Sequence, residues 1–481
     1  MTEQTETTAP TPAASSASED RPGTIPLQLV EAEGLGAALG ALPERDRAWA
    51  EAHGFAAKLG QSLMLPSDSG GLARVLVGWG SEQERRRERF HLGRFARTAP
   101  AGTYRLETPL SPPDAEEAAL GWLLARYAYD RYRSRASESE AHLIAPDGID
   151  RQRLGLIAEG VFITRDLINT PANDMGPAAL EHAARRIADR HGAETTAIKG
   201  DDLLDANLPM IHTVGRAAAQ DPRLIDIRWG AADAPLVTIV GKGVCFDTGG
   251  LNLKPGGSMG LMKKDMGGAA SALGLAHMIM ALGLSLRLRV LIPAVENTVS
   301  AGSFRPGDVL RSRKGLTVEV NNTDAEGRLI LADALTLASE EAPELILDLA
   351  TLTGAARVAL GPDLVPFYTA DNRLAQDLTA ASVAVADPLW RMPLWPAYEA
   401  EIEPDIADLD NAPSGGMAGS ITAALFLQRF VDQKAWAHFD IYGWTPKPRP
   451  GRPKGGEAQA IRAIIALLET RYPAGRAAAD A

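Results

Sequence analysis

A single cysteine, Cys245, stands among 481 residues, so no internal disulfide can form and a disulfide-stapled secreted scaffold is excluded. One thiol fits a reducing compartment. No uninterrupted apolar run approaches the ~20 residues needed to span a bilayer. The start of the chain lacks the basic and then hydrophobic pattern of a secretory signal, and it is too acidic for a typical transit peptide. A cytoplasmic location is the default expectation. Positive charge is also scarce: 49 Lys and Arg face 61 Asp and Glu, a net charge of −12 that disfavours general nucleic-acid binding. No Walker-type phosphate loop occurs, and Ser420 is not framed by the Gly-x-Ser-x-Gly pattern of a nucleophile elbow.

What is present is an ordinary globular composition, 45% apolar and 23% charged, on a chain long enough to outgrow one core. The expected organisation is a disordered tail over 1–22, a smaller α/β domain over 23–149, a larger one over 150–475, and a short tail over 476–481. In the smaller domain, residues 72–78 read as a strand. Asp114 with Glu117 reads as a capping box opening a helix with Leu120, Leu123, Leu124 and Tyr127 on one face. Residues 131–140 read as a linker or exposed helix end. Beyond residue 150, strands near 237 and over 286–295 and 345–349 alternate with helices over 154–169, over 267–282 and after Gly327. This predicts an α/β fold, a mixed sheet sandwiched by helices, with ligands gathered at strand ends.

Two segments lie at such ends. Residues 322–329, Asn-Thr-Asp-Ala-Glu-Gly-Arg-Leu, follow an apolar run that reads as a strand over 316–320. If extended backbone continues, Asp324, Glu326 and Arg328 alternate onto one face. Two close carboxylates repel unless one is protonated or a cation sits between them. Upstream, the buried-strand pattern 236–240 runs into 241–250, Gly-Lys-Gly-Val-Cys-Phe-Asp-Thr-Gly-Gly, followed by Lys254 and by Lys263, Lys264 and Asp265. None of the eight histidines lies in either segment. A metal here would be held by oxygen ligands with at most a neutral amine.

These segments, at their internal spacing, resemble the leucyl aminopeptidase family, the two-metal cytosol aminopeptidases of peptidase family M17. The resemblance continues through 164–173, 350–355, 419–424 and 436–440, roughly the last two thirds of the chain. It implies that residues 150–475 are catalytic and that Lys242, Asp247, Asp265, Asp324 and Glu326 hold two divalent ions, Zn or Mn. In the family pattern Asp247 and Glu326 bridge the pair. Lys242 and Asp265 complete the tighter site, and Asp324 completes the exchangeable one.

Water activated between the ions would attack the first peptide bond. Lys254 would stabilise the oxyanion, and Arg328 would hold a bicarbonate general base. Met262, Thr351, Leu352 and Gly354 would line or align the first-residue pocket. Tyr442 stands where many members carry a small residue, a departure that narrows the pocket or changes its preference. The family further implies peptide substrates and a homohexamer, while the acidic balance and the lack of a long apolar run lead us to expect no nucleic-acid or membrane partner.

Each residue also has a plainer reading. Lys254 or Arg328 alone is ordinarily a solvated charge, and Cys245 after an apolar strand reads as core. His438 and Asp440 invite a triad with Ser420, which the missing elbow argues against. The proline-rich run 445–453 reads as a surface loop or a loop near the site entrance. Two alternatives to the aminopeptidase are another two-metal hydrolase, such as a phosphoesterase, and a DNA-binding regulator on the same scaffold. The first should show a phosphate cradle, and the second conflicts with the acidic balance.

Overall fold

A computed structural model describes residues 23–133 and 140–475. The tails expected over 1–22 and 476–481, and most of the expected linker, lie outside the described residues. Two compact units are distinguished: Met1–Glu159 with Lys447–Lys454, and Gly160–Pro446 with Gly455–Ala481. Most of the proline-rich run thus groups with the first unit. No helix among the described residues is long and apolar enough to cross a membrane.

The first unit holds a five-stranded sheet in the order Ser62–Pro66, Leu72–Gly80, Ile25–Glu31, Gly102–Leu106, Ala141–Ile144. Alternation along Ile25–Glu31 feeds two cores. Ile25, Leu27 and Leu29 join Tyr104 and Trp122, while Val30 joins Leu42, Phe55 and Leu76. Each fully buried aliphatic such as Leu27 contributes about 1.5–3 kcal/mol. Helix Pro112–Ala125 opens on Ser111, whose hydroxyl accepts from Asp114 N at 3.4 Å. The expected Asp114–Glu117 box is therefore misplaced, because Pro112 and Pro113 suit the first helical turn and move the cap upstream. Glu117 instead accepts from the Phe90 amide at 2.7 Å, and Tyr127 lies past the helix end.

The second unit is built on a nine-stranded mixed sheet. Its path runs Leu389–Arg391, Val365–Tyr368, Trp436–Asp440, Leu345–Ala350, Leu236–Gly241, Arg287–Asn297, Arg223–Trp229, Glu194–Lys199. Gly243–Asp247 pairs with the far end of Arg287–Asn297. The four strands from Trp436–Asp440 to Arg287–Asn297 are mutually parallel. Helix Glu326–Ser339 covers one face, its Leu329, Ile330 and Ala334 packing with Val240, Leu291 and Ile346. Helix Gly267–Ala281 lies against Gly241 and Leu349, which point the other way. It is buried along nearly its whole length, and its Gly-Gly-Ala-Ala-Ser-Ala start lets it approach the strands closely. Helix Arg151–Asn169 stops just before Pro171, as expected.

Candidate active site

The first motif segment lies at the ends of central-sheet strands, and it meets the second, which follows Thr317–Glu319 of a separate three-stranded sheet. Lys242 follows strand Leu236–Gly241, its backbone bonded to Leu349 O at 3.0 Å and to the Ala269 amide at 2.8 Å. Asp247 closes Gly243–Asp247, Asp265 sits in the short 3₁₀ helix Met262–Met266, and Glu326 is the first residue of Glu326–Ser339. Two glycines make room for the lysine. A Cβ on Gly327 would lie 2.5 Å from Lys242 Cε, and one on Gly268 would lie 2.0 Å from Leu349 O. Lys242 can cross the helix start only because Gly327 has no side chain.

The extended reading of residues 322–328 is corrected by the structure. The strand stops at Glu319, and Asn322–Ala325 is a turn closed by Ala325 N to Asn322 O at 3.1 Å and Asp324 N to Asn322 Oδ1 at 2.8 Å. Glu326 and Arg328 therefore stand two apart on a helix and point in different directions. Asp324 and Glu326 still converge, through the turn rather than by strand alternation.

Lys242 Nζ lies 2.7 Å from Asp265 Oδ2, 3.0 Å from Glu326 Oε1 and 2.9 Å from Thr351 O. Lys254 Nζ lies 2.8 Å from Asp247 Oδ2 and 2.5 Å from Asp324 Oδ1. Oxygens of Asp247, Asp265 and Glu326 fall within 4.8 Å of one another, all buried. Asp265 Oδ2, Glu326 Oε1 and Asp324 Oδ1 meet these ammonium groups off hydrogen-bond alignment and have no other partner. Converging oxygens without aligned donors suit a hard or borderline divalent cation, so the residues fit the metals that the family resemblance implies.

Among the protein groups alone, burial opposes the Lys242 ammonium, but Asp265, Glu326 and Asp247 outweigh it and hold its pKa above the usual value. Burial, then the neighbouring carboxylates, push Glu326 up to about 7 and Asp247 up to about 6.

Asn297 joins the two segments from behind. Its Nδ2 donates to Asp247 Oδ1 at 2.8 Å and Thr323 O at 3.0 Å, and it reaches Glu326 Oε2 at 3.5 Å. Sequence reasoning missed this residue. Its only signal was a polar side chain at the end of an apolar strand. Thr351, expected in the pocket, also orients Asp265: its hydroxyl donates to Asp265 Oδ1 at 2.7 Å.

A cavity of about 500 Å³ opens on this cluster. Of the residues singled out from sequence, Lys242, Asp247, Lys254, Asp265 and Asp324 line it, as do Met262, Thr351, Leu352, Gly354 and Tyr442. Glu326 and Arg328 do not reach its surface. Arg328 is buried with its guanidinium 6.0 Å from the Phe426 ring, and its Nε and Nη1 have no hydrogen-bond partner. Burial lowers its pKa to about 10, so it stays a cation at neutral pH.

The triad is overturned. Ser420 Oγ lies 2.6 Å from Tyr368 Oη and 3.1 Å from Asp440 Oδ2, whereas His438 Nδ1 meets Asp348 Oδ1 at 2.5 Å. Serine and histidine are engaged by different acids. Asp440 also accepts the Leu352 and Thr353 amides, both at 3.0 Å, which makes it a brace for the pocket loop. Cys245 is fully buried beside Gly243 O, and burial raises its thiol well above the usual value, leaving it inert.

Residues 162–465 match the cytosol aminopeptidase family, catalytic domain, and residues 25–146 match the M17 aminopeptidase, N-terminal domain. The chain belongs to the cytosol aminopeptidase family. A probable cytosol aminopeptidase from Roseiflexus castenholzii is 42% identical over 375 residues, which cover 74% of this chain and 77% of the relative. The crystal structure of a cytosol aminopeptidase from Coxiella burnetii superposes with a TM-score of 0.90 at 46% identity, covering 94% of this chain and 98% of that one. The bottromycin maturation enzyme BotP, solved in complex with Mn, gives 0.83 at 33% identity, covering 94% and 100%. As a member of the cytosol aminopeptidase family, the protein is an enzyme that hydrolyses N-terminal residues.

Proposed function

We propose that this aminopeptidase uses two divalent ions, which Lys242, Asp247, Asp265, Asp324 and Glu326 would hold. The observation that carries the reading is the buried convergence of Asp247, Asp265 and Glu326, with Asp265 Oδ2 and Glu326 Oε1 lacking aligned donors. The manganese complex of the related BotP supports the choice of a divalent metal, Mn or Zn. When bound, the ions supply Lewis acidity that activates water and polarises the scissile carbonyl.

The remaining steps belong to the protein's own groups. Lys242 can ligate only through its free amine, so a proton and a metal compete for one Nζ and metal uptake releases the proton. Lys254 keeps its ammonium because Asp247 and Asp324 outweigh the opposing effect of burial, and it lines the cavity. It is placed to donate to the oxygen that gains charge as the carbonyl is attacked. Arg328 offers two unpartnered N–H donors in a buried setting, which suits a small planar oxyanion. Bicarbonate there would supply a proton acceptor. Met262, Thr351, Leu352, Gly354 and Tyr442 form the pocket for the first side chain. Cytoplasmic placement and assembly as a homohexamer complete the proposal, the former supported by the names of the relatives.

Hydrolysis of aminoacyl amides and dipeptides by the protein, stripped of metal and resupplied with Mn or Zn, tests this reading beside Glu326→Ala. Metal-dependent release of the first residue alone, abolished in the variant, is expected. A folded, metal-supplied protein that releases nothing would overturn it.

A further inference from the structure

The cavity carries two cations that neither metal binding nor oxyanion stabilisation uses. Lys264, next to Asp265 in the 3₁₀ helix, is 5% exposed, yet its Nζ meets neither a carboxylate at ion-pair distance nor a hydrogen-bond acceptor among the described residues. Arg357, on the exposed side of helix Gly354–Leu360, likewise has no ion pair. Both line the cavity. The Tyr442 ring neighbours both, its centroid 5.0 Å from Lys264 Nζ and 5.1 Å from Arg357 Cζ. A cation–π contact partly compensates each charge but does not replace an anion.

An unpaired buried ammonium is costly to the fold and needs a use. The nearby acids do not answer that need. Asp247, Asp265 and Asp324 are committed to the ligand cluster, and Asp440 is already occupied by Leu352 N, Thr353 N, Thr353 Oγ1 and Ser420 Oγ. Met262, on the same 3₁₀ helix, and Gly354, at the start of the Arg357 helix, bound the same space.

We propose that Lys264 and Arg357 grip a substrate carboxylate, that of an aspartyl or glutamyl side chain at the first residue, so that the enzyme prefers acidic N-termini. This rests on the aminopeptidase reading above and deepens it. Lys264 forms the closed end of the grip and Arg357 the solvent side, with the Tyr442 ring beside both.

The test is kcat/KM of the metal-loaded enzyme on Glu-, Asp- and Leu-p-nitroanilides, with Lys264→Met and Arg357→Gln alongside. The wild type should favour Glu or Asp over Leu by tenfold or more. In Lys264→Met that ratio should fall at least tenfold, and in Arg357→Gln severalfold, mostly through KM and with metal content unchanged. Leu exceeding both acids in the wild type, or a ratio unmoved by either variant, overturns the proposal. Because Arg357 is exposed, its variant keeps the test informative should Lys264→Met not fold. A free C-terminal carboxylate is the other possible source of the anion. If Leu-Gly beats Leu-Gly-amide and Lys264→Met removes the difference, the grip holds that end and the proposal fails. A wild type that releases no first residue from any anilide would fail the aminopeptidase reading itself.

Discussion

Asn297→Ala should loosen the metal cluster without removing a ligand. The side chain is 1% exposed, and its Nδ2 ties Asp247 to Thr323 O, thereby holding one motif segment against the other. The bond to a carboxylate is worth about 1.5–3 kcal/mol and the bond to a carbonyl about 0.5–1.5 kcal/mol, while the 3.5 Å approach to Glu326 adds little. Together they amount to about 2–4 kcal/mol, divided between a less stable metal-free fold and a less ordered bridging carboxylate. Removal of such outer partners weakens metal binding by about 10–100-fold. Calorimetric titration of the stripped protein with Mn, beside thermal melts with and without metal, reads both parts. A Mn affinity within twofold of wild type, in a variant whose stability falls equally with and without metal, would refute the view that Asn297 positions Asp247.

Arg328→Ala should lower kcat by about 10²–10⁴-fold, the usual contribution of a positioned proton acceptor, while metal content by elemental analysis stays at the wild-type level. Equal loss of both would count against an anion site at Arg328. Ser420→Ala should leave turnover within a few-fold and lower stability by about 1 kcal/mol, since its hydroxyl only braces Tyr368 and Asp440; a near-complete loss of turnover would restore a nucleophilic role.

Glu181 gives a pH signature away from the site. Burial alone would raise its pKa, but bonds from Lys199, Arg223 and Arg185 outweigh this and draw it down to about 2. Its folded value lies below its unfolded value, so its contribution is full above about pH 4.5 and is lost as pH falls toward 2. Denaturant titrations should find Glu181→Gln less stable by on the order of 2–3 kcal/mol at pH 7, with the gap closing below pH 4. A gap that is constant with pH would mean that packing, not charge, is at stake.

The parts legible in the sequence were those fixed by local period. The strands near 237, 290 and 347 and the helix after Gly327 stand where apolar runs placed them. Lys242 follows one strand of the central sheet and Asp247 closes another, whereas Asp324 and Glu326 follow Thr317–Glu319 of a separate three-stranded sheet and Asp265 sits in a 3₁₀ helix, and the fold brings these ends together. What the sequence hid depends on partners distant along the chain. Asn297 takes its meaning from Thr323 and Asp247, and Lys264 from Tyr442 and Arg357. No spacing rule links those pairs. The strand reading of 322–328 failed because Asn322 captures the Asp324 amide with its own side chain, a local bond that starts a turn before alternation can continue.

The cluster has a consequence for the life history of the molecule. Lys242 and Glu326 are distant in sequence and meet only when the central strands have paired, and the groups that orient the carboxylates, Asn297 and Thr351, sit at the ends of two other strands of that sheet. A growing chain on the ribosome therefore has no preformed cage, and under the two-metal reading cations would find one only after the sheet has closed. From that moment each bound ion favours the finished molecule by an amount set by its free concentration relative to its dissociation constant. Under that reading the cellular supply of metal would govern how long a completed copy resists reopening, as well as how fast it works.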